Sequence, residues 1–104
     1  MNWKSTDNQQ LIAAILALKD KAEAQSFLRD LMTTKEIDEF AKRLKAATML
    51  LEKIPYSVIE KETGLSSTTV ARVSKWLNAS SAGYQTIINR LHHHSSIQTR
   101  NGVS

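Results

Sequence analysis

Cysteine is absent from the 104 residues, which excludes a disulfide framework and any thiolate-based zinc or redox site. Proline occurs once and glycine three times, so little interrupts helix formation. No apolar run approaches the roughly 20 residues that a membrane-spanning helix needs. The N-terminus also lacks the charged-then-apolar order of a secretory signal, so a cytoplasmic protein with no membrane partner is expected. A glycine-rich phosphate loop is missing too. The carboxylate pairs Asp20/Glu23, Asp38/Glu39 and Glu60/Glu62 fall on helical surfaces with no neighbouring pattern that would raise a pKa or position a nucleophile, so no enzyme is expected. His92, His93 and His94 are the one metal-like cluster, yet consecutive residues on a helix point in different directions. No metal is expected there. The most informative absence is of acidic residues from Thr63 to the C-terminus, where Arg72, Lys75, Arg90 and Arg100 remain. By contrast, residues 1–40 carry five Lys/Arg against seven Asp/Glu, and residues 41–62 carry five against three. A one-signed C-terminal half suits a polyanionic partner, because carboxylates repel phosphates and Lys or Arg displaces their counterions. A merely basic solvated surface is the alternative.

Helical periodicity fills most of the chain. A first helix follows Thr6 or Asp7, either able to cap it, and carries Leu11, Ile12, Ile15, Leu16 and Leu18. Trp3 ahead of it either packs on that helix or stays exposed. A second helix begins near Asp20 and spaces Ala24, Phe27, Leu28 and Leu31 helically. Thr33-Thr34-Lys35-Glu36 then reads as a capping box, in which Thr33 and Glu36 satisfy each other's orphan backbone N–H groups. The third helix, Thr34 to Lys53, bears a stripe of Ile37, Phe40, Ala41, Leu44, Ala47 and Leu51. Ala46, Met49 and Leu50 extend its apolar character around most of the circumference. Such a helix is buried on several sides, either inside a monomer or against a partner chain; for a chain this short a homodimer is expected. Ile54-Pro55 ends it. Two shorter helices, Ser57–Thr63 and Ser66–Leu77, precede a loop over Ala79–Gly83 and a last helix over Tyr84–Leu91. The sequence therefore predicts an all-α domain of about six helices over residues 1–91, followed by a disordered tail over 92–104.

The segment from Tyr56 to Leu77 meets the demands of a helix-turn-helix. Two short helices must cross steeply, and the turn needs a residue tolerant of positive φ, which Gly64 supplies. Apolar residues must pin the helices, and Ile59, Leu65, Val70 and Val73 stand at suitable positions. That leaves Ser66, Ser67, Thr68, Thr69, Ala71, Arg72 and Lys75 outward or half-outward. Small hydroxyl residues in the first turn of a recognition helix allow close approach to base edges. Ser67, Thr68 and Thr69 are thus candidate base readers, and Arg72 and Lys75 candidate phosphate ligands. Tyr56 and Ser57 could anchor backbone phosphate at the start of the preceding helix. Glu60 and Glu62 would repel phosphate, so they are expected to point aside or to pair with Lys61 or Lys53.

Leu31-Met32-Thr33, Arg43, Leu50-Leu51, Ile59, Glu62, Gly64, Thr69-Val70-x-Arg72 and Leu77 occur in an order that resembles the Trp repressor superfamily. The similarity covers about Leu28–Leu91, and the run GLSSTTVARVSKWLN looks most like the shorter TrpR-like proteins of unclear corepressor. The resemblance implies an intertwined homodimer with one core shared by both chains. It also implies a ligand clamp in which Arg43 and Arg72 sandwich an indole, with Thr33 or Thr34 contributing, a physically sound arrangement for a desolvated cation–π pair. Val73 and Trp76 depart from that pattern, standing where the repressor has a glycine and a serine. Free tryptophan is accordingly not the expected corepressor, no cofactor is expected, and a small-molecule effector is left open. Trp76 either packs in the core or dimer interface, or partly occupies the vacated site itself.

The function these readings support is a homodimeric, sequence-specific regulator of transcription, a repressor, on an inverted-repeat site in double-stranded DNA. Two alternatives stand beside it: a helical protein-interaction module, and the DNA-binding module of a mobile-element protein.

Overall fold

The computed structural model describes residues 1–92, which form six helices and no strand. They are α1 (Thr6–Ala17), α2 (Lys21–Leu31), α3 (Thr34–Leu51), α4 (Tyr56–Thr63), α5 (Ser67–Leu77) and α6 over 83–92. The expected tail lies outside the described residues except for His92, which is helical. No helix among the described residues is long and apolar enough to cross a membrane. The chain divides into two compact units, Met1–Ile37 and Asp38 onward.

In the first unit the helix ends are set by side-chain caps. Ser5, not Thr6 or Asp7, caps α1, its hydroxyl accepting from the Asn8 N–H at 3.2 Å. Asp7 instead falls in the first turn, where a carboxylate suits the positive end of the helix. Asp20 caps α2, which begins where expected, accepting from the Glu23 N–H at 2.9 Å, while Glu23 reaches back to the Lys19 N–H. The Thr33–Glu36 box forms in both directions, Thr33 N–H to Glu36 Oε1 at 2.9 Å and Glu36 N–H to Thr33 Oγ1 at 3.1 Å. Neither α1 nor α2 buries a single residue, and Trp3, Ile15, Leu16 and Leu31 are exposed.

The capping box carries a testable consequence. The Thr33 backbone N–H, and then its hydroxyl, hold the Glu36 carboxyl below its ordinary pKa of 4.5. A carboxylate depressed on folding adds stability above its unfolded pKa and loses it as pH falls through the folded value. Thr33→Ala keeps the backbone N–H and removes only the hydroxyl, so it is expected to lower stability and to flatten part of the decline below pH 4.5. Paired urea titrations across that range measure both effects.

The second unit has its own core of Ala46, Ala47, Ile59, Leu65, Val70, Val73, Leu77 and Ile88. Within α3 only Ala46 and Ala47 are fully buried, whereas Phe40 and Leu44 of the expected stripe are exposed. The third helix stops at Leu51, two residues short of expectation, in a Schellman motif. The Ile54 N–H donates to the Met49 carbonyl at 3.1 Å and the Lys53 N–H to the Leu50 carbonyl at 3.0 Å. Lys53 takes the left-handed position, φ +64°, that glycine fits best. At the far end, Gln85 Nε2 donates to the Leu77 carbonyl at 2.9 Å and buried Ile88 ties α6 to the core.

Candidate nucleic-acid interface

Gly64 turns the chain between α4 and α5. Its φ of +76° is left-handed, and its N–H donates to the Glu60 carbonyl at 2.8 Å, closing α4. Thr63, buried, completes the turn: its hydroxyl donates to the Ile59 carbonyl at 2.7 Å and accepts from the Leu65 N–H at 3.2 Å. Sequence reasoning passed over Thr63. The signal was a short hydroxyl residue directly before the turn glycine, a position from which it can serve both sides of the bend.

Val70, Val73 and Leu77 are buried at spacings of three and four, so α5 has one face fixed against the core. The opposite face carries Ser67, Thr68, Ala71, Arg72, Lys75 and Trp76, all exposed. Thr68, Ala71, Arg72, Lys75 and Trp76 line a shallow depression of about 340 Å³ there. Ser66 is the N-cap, its oxygen accepting from the Thr69 N–H at 3.1 Å while its hydroxyl donates to Thr69 Oγ1 at 2.9 Å. That mutual engagement, with Thr69 half-buried, leaves Ser67 and Thr68 as the free hydroxyls of the first turn.

Tyr56 and Ser57 are exposed at the start of α4, whose N-terminus has no side-chain cap because Pro55 precedes it. Among the described residues the ion pair formed is Arg43–Glu39, at 3.8 Å. Of the two expectations for Glu60 and Glu62, pairing with Lys61 or Lys53 does not form, which leaves the other, that they point aside. Helical spacing places Glu62 beyond reach of its neighbours' ammonium groups, and solvent screens the exposed carboxylate without a partner.

The residues that a clamp would use are differently disposed. Arg43 lies over the Phe40 ring at 5.5 Å, and its Nε is buried with no acceptor among the described residues. Thr33 is exposed and committed to its capping box. Val73 belongs to the core. Trp76 does not pack in the core of the chain: it is 60% exposed, next to Arg72 and Lys75 on the outward face. The reason is register, since Val73 and Leu77 take the two inward positions on either side of it. Its place could have been read from its spacing, four residues after Arg72 and eight after Thr68.

α4 and α5, packed against each other and joined through a left-handed glycine, form a helical pair with one exposed face bearing hydroxyls and cations, the arrangement that a helix-turn-helix requires. Residues 6–92 match the family model of the Trp repressor protein. A Bacillus subtilis (strain 168) relative, the protein YerC, is 43% identical over 82 residues, 79% of each chain. Two solved structures are similar over most of their length. One is a TrpR-like protein from Eubacterium eligens ATCC 27750, with a TM-score of 0.82, 39% identity, and coverage of 86% of this chain and 93% of that one. The other is a candidate Trp repressor from Staphylococcus aureus, with a TM-score of 0.81, 32% identity, and coverage of 88% and 95%. The chain belongs to the Trp repressor family. It is a TrpR-like regulatory protein.

Proposed function

We propose that the protein is a sequence-specific regulator of transcription that binds double-stranded DNA as a homodimer and represses by occupying an inverted-repeat site. The observation that carries this reading is the outward face of α5. It combines free hydroxyls at Ser67 and Thr68 with the cations Arg72 and Lys75, and no carboxylate interrupts it. In a helix-turn-helix the first turn of this helix approaches base edges and the basic residues further along hold phosphate. The uncapped N-terminus of α4, with Tyr56 and Ser57, suits a backbone phosphate beside it.

Dimerisation is supported by what a single chain leaves uncovered. α1 and α2 bury nothing, Phe40 and Leu44 are exposed on α3, and Leu16 is 79% exposed. Apolar exposure on this scale in a 104-residue chain is a mark of association. Two-fold symmetry then asks for half-sites about one helical turn apart, roughly 34–36 Å. Tryptophan is not required in this reading, whose basis is that Val73 and Trp76 stand where the family pattern has a glycine and a serine.

Titrating the protein against genomic duplex fragments over a salt series tests the reading. Log affinity is expected to fall linearly with log salt concentration, since each neutralised phosphate releases counterions. Lys75→Ala should weaken binding to all sequences alike and reduce the slope by about one. Affinity with no salt dependence would instead mark α4 and α5 as a protein-interaction hairpin.

A further inference from the structure

A second cavity lies where the end of α3 meets the start of α4 and the end of α5, beside Tyr56. Its volume is about 410 Å³, and Leu51, Ile54 and Leu77 supply apolar lining while Lys53, Tyr56 and Asn78 supply polar groups. That volume falls within the range of roughly 300–1,000 Å³ typical of small-molecule sites. Lys53 is the one charged residue lining it.

The position of that charge is costly to the fold. Lys53 occupies the left-handed C′ position of the α3 Schellman motif, φ +64°, where a side chain is strained and glycine is the ordinary occupant. Lys53 is exposed and its ammonium makes no ion pair among the described residues, so it is free to meet an anion. Ala82 shares this conformation at φ +55° but does not line the cavity, whereas at Lys53 the strained position sets a long cationic side chain on the cavity's lining.

We propose that this cavity binds a small monocarboxylate with an apolar body, the carboxylate paired with the Lys53 ammonium and the body against Leu51, Ile54 and Leu77. A single ammonium balances one negative charge. A phosphate dianion would bring a second charge against leucine and isoleucine with no cation to meet it. Tyr56 opens α4 and Asn78 follows α5, so an occupant touches both ends of the helix-turn-helix at once. The binding itself does not rest on the DNA-binding reading.

Methyl NMR titration of the full chain, free of DNA, with hexanoate and with hexanamide tests the proposal. Saturable shifts are expected at the methyls of Leu51, Ile54 and Leu77, with hexanoate bound about tenfold more tightly than the neutral amide. Lys53→Gly suits the left-handed backbone and should fold normally; it is expected to bring the ratio to about one while leaving the hexanamide affinity unchanged. Lys53→Asn, also tolerant of this conformation, should behave alike. Absence of saturable shifts at these methyls, equal affinity of acid and amide, or a preference that survives both substitutions would overturn it. Because DNA is absent, these results stand apart from the salt titration.

Discussion

Ile59→Ala is expected to lower the stability of the helix-turn-helix by about 3 kcal/mol. Ile59 is fully buried in α4 and belongs to one cluster with Ala46, Ala47, Val70 and Val73. Deleting its outer carbons removes their transfer free energy and leaves a void that neighbours as small as Ala46 and Ala47 cannot fill. Against a total stability of roughly 5–15 kcal/mol, such a loss is large. Urea unfolding followed by circular dichroism should show a lower midpoint with little change in slope. DNA affinity should fall with it, because the orientation of α5 depends on the same contacts. An unchanged midpoint would mean that the hairpin is not held as the structure shows.

Leu44→Glu is the second large effect, and it separates one chain from two. Leu44 is exposed in the single chain, so the substitution in a monomer should alter stability by no more than about 0.5 kcal/mol. In the proposed dimer it would bury a carboxylate in an apolar interface shared with Phe40, at a cost of several kcal/mol. The expected result is a shift to monomer in analytical ultracentrifugation, at concentrations where the parent chain sediments as a dimer. Affinity for DNA should drop at least tenfold, since paired half-sites would be lost. A variant that sediments like the parent would remove this face of α3 from the interface.

Much of the architecture was legible because it rests on local chemistry. The Thr33–Glu36 box, the start of α2 near Asp20 and the left-handed turn at Gly64 are each decided within a few residues, and each stands where the spacing predicts, while α3 ends only two residues before its predicted stop. The pinning residues Ile59, Leu65, Val70 and Val73 also follow from position relative to Gly64. What escaped depends on alternatives that lie close together in sequence. Ser5 competed with Thr6 and Asp7 for one cap, and the nearest hydroxyl one residue upstream prevailed. Trp76 has three places open to it in sequence, the core, a dimer interface and the vacated ligand site, and helical register removes the first by giving the inward positions to Val73 and Leu77. Lys53 in a left-handed conformation had no sequence signal, since glycine or asparagine is what normally announces it. The exposed faces of α1 and α2 show the limit most clearly. Their apolar spacing reads as core, yet no residue of either helix is buried within the chain.

Selection of bound duplexes from a random pool, with and without tryptophan, tests the central claim most directly. Paired α5 helices reading double-stranded DNA predict an enriched inverted repeat with half-sites about one helical turn apart, the same under both conditions. Failure to enrich any motif, a lone half-site without symmetry, or a motif that appears only with tryptophan would contradict it.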